Sequence, residues 1–61
     1  MKFWVAREML GNLYLYDTKP YIDGEEWNSV GNYYLIDRHL FPEITFENSP
    51  QMVEIELVKE E

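Results

Sequence analysis

The sequence has no cysteine and only one histidine, His39. Without cysteine the chain can form neither disulfide bonds nor a thiolate zinc site, the two most common means of stabilising very small proteins. A single histidine also leaves no second imidazole for a structural zinc site. Because a domain of 61 residues buries only about 60% of the surface of its unfolded chain, its stability has to come from apolar packing or self-association.

Basic residues are few. Five lysines and arginines stand against twelve aspartates and glutamates, which gives a formal net charge of -7 and a pI near 4.4. This charge repels phosphate backbones and anionic lipids, so we expect neither direct nucleic-acid binding nor membrane binding. A basic protein is the partner that such a chain attracts. The sequence equally allows a second interpretation, in which the acidic residues only keep an aromatic-rich protein soluble.

Long hydrophobic runs are missing from the sequence as well. No apolar stretch approaches the roughly 20 residues needed to cross a bilayer, and no basic segment followed by an apolar one opens the chain. We therefore expect a soluble protein in the cytoplasm, inside a host cell.

Catalytic and metal-binding patterns are also sparse. His39 stands alone, and neither of the two serines, Ser29 and Ser49, lies in a nucleophile elbow. Carboxylate pairs need a pocket that raises one pKa, and we expect little room for one in so small a sheet. The acidic run 23–26 lacks the twelve-residue spacing of an EF-hand loop. We expect no enzyme activity, no catalytic residue, no metal site and no cofactor.

Aromatic and β-branched residues are what the chain does have, and they predict the fold. Alternating segments predict four strands, at Lys2–Arg7, Leu13–Asp17, Asn32–Ile36 and Val53–Leu57. The Gly11-Asn12 pair between the first two predicts a hairpin. We expect one domain over residues 1–61 that is mainly β: a small twisted antiparallel sheet of about four strands, with two long loops that pack over one face.

The two long loops cover residues 18–32 and 38–51. Glycine, proline, acids and amides dominate the first, and Trp27 could anchor it as a lid over the sheet. Pro42 and Pro50 exclude a long helix from the second. Ser49-Pro50 predicts one short helical turn before the last strand.

Strand alternation predicts two sheet faces of different chemistry. The core face should hold Phe3, Val5, Leu13, Leu15, Leu35, Val53, Ile55 and Leu57, closed by Phe41 and Phe46 from the second loop. The opposite face should hold Trp4, Tyr14, Tyr16 and Tyr34 beside Glu54 and Glu56. Large exposed apolar patches are rare on monomers, so this second face should be covered by the loops, by a second copy or by a partner.

The order of several segments resembles a group of short acidic proteins of gut bacteria and their phages, for which no activity is established. The resemblance spans nearly the whole chain, and it is carried by the segments 3–7, 13–20, 40–50 and 53–55. Leu40-Phe41-Pro42-Glu43-Ile44-Thr45-Phe46-Glu47 is its most specific part. It implies a context rather than a chemistry, because small phage-type proteins often inhibit or assist host machinery.

These features together predict a non-catalytic protein-binding module, an inhibitor of a basic, nucleic-acid-handling host protein. Carboxylates spread over a rigid sheet can imitate a nucleic-acid backbone, while an ordinary solvent-facing strand is the simpler interpretation. The predicted partner-binding residues are Glu54, Glu56, Glu60, Trp4, Tyr14, Tyr16 and Tyr34. One alternative is a homodimer or larger homo-oligomer formed through the aromatic face, with a structural or accessory role. Another is a small-molecule sponge in which Trp27 and Tyr34 stack on a nucleotide-like ligand.

Overall fold

A computed structural model describes residues 1–56 of the chain and contains six β-strands in that range. The strands are β1 (Lys2–Arg7), β2 (Leu13–Tyr16), β3 (Tyr21–Asp23), β4 (Glu26–Asn28), β5 (Tyr33–Ile36) and β6 (Gln51–Glu54). Four of them form one antiparallel sheet in the order β5-β2-β1-β6, and β3 and β4 form a separate hairpin. The predicted mainly β fold with a four-stranded antiparallel sheet is confirmed.

The predicted hairpin between β1 and β2 is confirmed, with a turn made by Met9, Leu10 and Gly11. The Glu8 amide donates to the Asn12 carbonyl at 2.9 Å, and the Gly11 amide donates to the Glu8 carbonyl at 3.0 Å. Gly11 has a φ of 99°, which suits the left-handed position at the end of a three-residue hairpin turn. This turn fixes the register in which Val5 faces Leu15 and Arg7 faces Leu13.

Cross-strand pairing assigns each strand residue to one of two sheet faces, because directly paired residues point to the same side. The core face carries Phe3, Val5, Arg7, Leu13, Leu15, Tyr34, Ile36, Gln51 and Val53. The second, aromatic face carries Lys2, Trp4, Ala6, Tyr14, Tyr16, Tyr33, Leu35, Met52 and Glu54. The predicted parity is thus correct for β1, β2 and β6.

The predicted parity of β5 is wrong. Tyr34 pairs with Leu15 and lies on the core face, whereas Tyr33 pairs with Tyr16 on the aromatic face. Leu35, predicted to be in the core, is 66% exposed, and Ile36 packs against the core in its place. The segment has four apolar residues in succession, so it has no alternation from which its orientation could be read.

The last strand ends earlier than predicted. Lys2 pairs with Glu54 at the start of β1, and the Ile55 amide donates to the Met1 carbonyl at 2.8 Å. Ile55, predicted to be in the core, lies outside the strand and is 41% exposed. Leu57, also predicted to be in the core, lies outside the described residues.

The first long segment, predicted to be an irregular loop, contains the hairpin β3–β4. Its turn is Gly24-Glu25, with a φ of 66° at Gly24, as glycine at the first position of a tight hairpin turn allows. The Asp17 carboxylate closes the base of this segment, because it accepts hydrogen bonds from the backbone and side-chain amides of Asn32 at 2.9 and 3.1 Å. The hairpin is thereby tied to the junction between β2 and β5.

The second long segment, residues 37–50, packs on the core face. Ile44 is buried together with Val5 and Leu13, and the partly buried Phe41 packs against this cluster. The prediction that Phe41 closes the core is confirmed. The predicted helical turn at Ser49-Pro50 is not formed. The Ser49 hydroxyl instead accepts a hydrogen bond from the backbone amide of Arg7, in β1, at 2.9 Å. The hairpin β3–β4 borders the aromatic face, so the two long segments do not share one face.

Arg7 fastens the second segment to the sheet. All five N–H groups of its guanidinium donate to backbone carbonyls, those of Gly11, Arg38, Leu40, Phe41 and Ile44. Phe41 has a φ of 48°, a left-handed conformation that is uncommon for a bulky side chain. The Arg7 bonds to the Leu40 and Phe41 carbonyls, at 3.1 and 3.2 Å, hold the backbone in this conformation.

Candidate functional site

A cleft of about 600 Å³ lies between the hairpin β3–β4, the β1–β2 turn and the aromatic face of the sheet. This volume is within the range of ordinary ligand-binding clefts. We call it the aromatic cleft. Its lining combines tyrosine and tryptophan rings, carboxylates and a few aliphatic and amide groups: Glu8, Met9, Leu10, Tyr14, Tyr16, Glu25, Glu26, Trp27, Asn28, Ser29 and Tyr33.

Three tyrosines form one wall of the aromatic cleft. The ring centroids of Tyr14 and Tyr16 are 6.4 Å apart, and the ring of Tyr33 lies 6.1 Å from each of them. The pairing of β1, β2 and β5 accounts for this triangle, because it places all three on the same face. Tilted and edge-on contacts at these distances stabilise aromatic clusters, so the wall is a fixed surface.

Tyr16 lies at the base of this wall. It is only 3% exposed, and burial, followed by the nearby Tyr14, Tyr33 and Glu8, raises the pKa of its phenol to about 12. Its hydroxyl makes no hydrogen bond to any of residues 1–56. The same range contains no fully enclosed side-chain nitrogen or oxygen without a partner, so the hydroxyl retains some contact with solvent, and Tyr16 is one of the residues that line the cleft.

The raised pKa of Tyr16 predicts a loss of stability at alkaline pH. The unfolded chain releases this proton near pH 10, whereas the fold keeps it up to about pH 12. The stabilisation is therefore complete below about pH 10 and is lost as the pH rises through about 12. Melting temperatures measured across this interval should fall less for Tyr16→Phe than for the parent. At neutral pH the two should melt alike, since the hydroxyl has no hydrogen-bond partner among residues 1–56; equal alkaline losses would contradict the prediction.

Carboxylates line the opposite side and the mouth of the aromatic cleft. Glu8 is half-buried, and its Oε1 accepts a hydrogen bond from the Asn12 side-chain amide at 2.8 Å, which holds the carboxylate in place. Glu25 and Glu26 come from the turn and first residue of the β3–β4 hairpin and are exposed. Three acidic groups beside three electron-rich rings give the cleft a negative potential.

Trp27 anchors the hairpin that forms the outer wall. Its indole Nε1–H donates to the Arg7 carbonyl at 3.1 Å, and its ring lies 6.1 Å from that of Phe46. The side chain is half-buried by these contacts. The sequence allowed Trp27 as an anchor of the first long segment without settling it, and the structure attaches it to the end of β1 and to Phe46.

The predicted partner-binding residues do not form one surface. Tyr14 and Tyr16 lie in the aromatic cleft, but Tyr34 lies on the other face of the sheet. Trp4 is half-buried, and the Lys19 ammonium lies 5.2 Å from its ring centroid, so the chain supplies its own cation to this ring. Glu54 is exposed and lies 3.3 Å from the Met1 amino group. Glu56 is exposed, and Glu60 lies outside the described residues.

Of the aromatic and acidic residues that line the cleft, four were not predicted as binding residues from the sequence: Tyr33, Glu8, Glu25 and Glu26. Tyr33 was missed because the parity of β5 could not be read. The signal for Glu25 and Glu26 was present, since Gly24-Glu25 separates Tyr21-Ile22 from Trp27 and a glycine at this position is typical of a two-residue hairpin turn. Glu8 gives no local signal, because only the β1–β2 turn brings it to the rings.

Residues 1–56 contain no group of three or more histidines and carboxylates able to hold a metal ion. His39 is exposed and contacts Asp37, whose pKa is lowered by hydrogen bonds from the His39 backbone and ring. In the same range, no helix is long and apolar enough to span a membrane.

Comparison with known protein families, with curated proteins and with solved structures finds no match for this chain. The resemblance to short acidic proteins of gut bacteria and phages thus stays a prediction from the residues that carry it.

Proposed function

We propose that the protein is a non-catalytic binding module for a basic protein partner, in the manner of a phage-type inhibitor of a nucleic-acid-handling host protein. The observation that carries this proposal is the amount of apolar surface left in water. Only five hydrophobic side chains of the described residues are buried: Val5, Ala6, Leu13, Tyr16 and Ile44. Twelve large ones are at least 41% exposed: Met1, Met9, Leu10, Tyr21, Ile22, Val30, Tyr33, Tyr34, Leu35, Leu40, Met52 and Ile55.

Part of this surface is continuous, because a row across the aromatic face pairs Tyr33 with Tyr16, Tyr16 with Trp4 and Trp4 with Met52. A contiguous apolar patch is typical of a surface that binds another macromolecule. The net charge of -7 favours a basic partner through steering and charge complementarity. Acidic groups flank the apolar surface at both ends of the aromatic face, with Glu54 and Glu56 at one end and the cleft carboxylates at the other.

The charge contribution can be tested by replacing Glu54, Glu56 and Glu60 together with glutamine. A basic partner is first captured from host lysate and purified, and calorimetry should then show that the triple variant binds it more weakly than the parent does. The difference in affinity between the two should shrink as salt rises toward physiological strength, where the screening length is about 8 Å. The fold should survive, because Glu54 and Glu56 are exposed.

A matched control separates position from net charge. Changing Asp23, Asp37 and Glu47, all exposed, to their amides alters the net charge equally, and none of these three residues lines the groove beside Glu54. Equal weakening by both triple variants would show that only overall charge matters. Unchanged binding by both would remove the charge argument and leave the apolar surface as the determinant.

A second candidate function is homo-oligomerisation, favoured by the free edge of β5. This strand is at the end of the sheet order, and Tyr33 and Leu35 are 62% and 66% exposed. An exposed apolar edge strand can pair with the same strand of another copy. Sedimentation of the pure protein decides, since a monomer at high concentration contradicts this function.

A further inference from the structure

The aromatic cleft has a hydrogen-bonding group that no residue of the range 1–56 engages. Tyr16 is 3% exposed, and the hydroxyl of a tyrosine buried to this extent usually has a partner. Here the hydroxyl retains some contact with solvent, and Tyr16 lines the cleft beside Glu8, Tyr14 and Tyr33. The hydroxyl is available to a group that enters from solvent, and its oxygen can accept a hydrogen bond from that group.

The rest of the cleft favours a cation. The faces of Tyr14, Tyr16 and Tyr33 are negative, and rings within about 6 Å of a cation attract it. The carboxylates of Glu8, Glu25 and Glu26 line the same space, while none of the four basic residues at positions 2, 7, 19 and 38 does so. The cleft thus has a negative potential, and no basic residue among residues 1–56 lines it.

Among cations available on a protein, the guanidinium group matches this lining best. It is planar, so it stacks on tyrosine rings, and its fork of donors fits carboxylates and a hydroxyl at the same time. It is also more weakly hydrated than an ammonium group, and therefore enters a half-enclosed aromatic site at lower cost.

We propose that the aromatic cleft binds the guanidinium group of an arginine side chain on the basic partner. The tyrosine rings stack on the group, the Tyr16 hydroxyl accepts from it, and Glu25 and Glu26 pair with its charge. This inference rests on the proposed function, because it names the group by which the partner is recognised.

The test uses small probes and needs no partner. The full chain is titrated with N-acetylarginine amide, with its neutral isostere N-acetylcitrulline amide and with N-acetyllysine amide, and NMR follows the Trp27 indole N–H and the amides of the cleft tyrosines. We expect shifts confined to the cleft, with arginine binding roughly tenfold tighter than citrulline, in line with the loss of the cation. Lysine should bind more weakly than arginine.

Two variants locate the site. The double change E25Q/E26Q and the single change Y33L should each weaken arginine binding about three- to tenfold. The matched control E43Q/E47Q removes the same charge elsewhere and should leave it unchanged. Tyr33 and both glutamates are exposed, so the variants should fold, which their melting temperatures check.

The outcomes separate this inference from the proposed function. If arginine and citrulline bind alike, if lysine equals arginine, or if the shifts lie outside the cleft, the guanidinium site is wrong. A basic partner that still binds the parent in the calorimetric test would then leave the proposed function intact. Arginine binding in the cleft without any basic partner would overturn the proposed function instead and leave the cleft as a site for a free guanidinium compound.

Discussion

Replacing Arg7 with lysine should destabilise the fold by about 3 kcal/mol or more. Lysine keeps the charge but has three donors on one nitrogen, whereas Arg7 donates to five backbone carbonyls from three nitrogens. At least two carbonyls must then lose a charged donor, at about 1.5–3 kcal/mol each. A domain of 61 residues has a total stability of about 3–9 kcal/mol, so the loss removes at least about a third of it.

Urea unfolding followed by circular dichroism measures this loss, and Arg38→Lys is the matched control. Arg38 donates one hydrogen bond from an exposed position, to the Leu10 carbonyl at 3.2 Å, so its replacement should change stability by less than about 0.5 kcal/mol. If both variants unfold at the parent's urea concentration, the Arg7 guanidinium does not hold the second segment to the sheet.

The role of Arg7 shows what the sequence could have indicated. Alternation places Phe3, Val5 and Arg7 on one face, and that face was predicted to be the core. A charge on a core face needs partners, so the pattern contained a signal for an engaged guanidinium that was not used in the prediction. It could not predict the partners, which are backbone carbonyls up to 37 residues away and leave no trace in residue type.

The sheet was predictable where strands alternate strictly and are joined by a short turn. The strands β1 and β2 satisfy both conditions. In contrast, the alternating segment Val53–Leu57 was predicted as a strand throughout, but the observed β6 (Gln51–Glu54) begins two residues earlier and ends at Glu54. Its bounds correspond to its pairing with residues 2–5 of β1, and no local pattern contains that information.

The aromatic cleft was predictable only in part. The alternation of β2 put Tyr14 and Tyr16 together, and acidic residues near them were expected from Glu54 and Glu56. The carboxylates that line the cleft come instead from the β1–β2 turn and the β3–β4 hairpin. Their position depends on the anchoring of Trp27 to the Arg7 carbonyl and on the Asp17–Asn32 closure, both of which are contacts between distant residues.

Truncation of a core leucine should have the other large effect on stability. Leu13 is fully buried and packs with Val5 and Ile44. Leu13→Ala removes this contact and leaves a cavity, which costs about 2–5 kcal/mol at a buried position. Because the described core has so few members, few neighbouring side chains can move into the cavity. The loss in free energy of unfolding is therefore a large part of the stability of the domain.

Leu35→Ala is the same chemical change on an adjacent part of the same sheet, and it should cost less than about 1 kcal/mol because Leu35 is 66% exposed. The sequence alone placed both leucines in the core. Thermal or urea unfolding of the two variants therefore tests the orientation of β5 directly. A large loss for Leu35→Ala with a small one for Ile36→Ala would mean that β5 faces the other way, and it would move Tyr33 out of the aromatic cleft and Tyr34 into it.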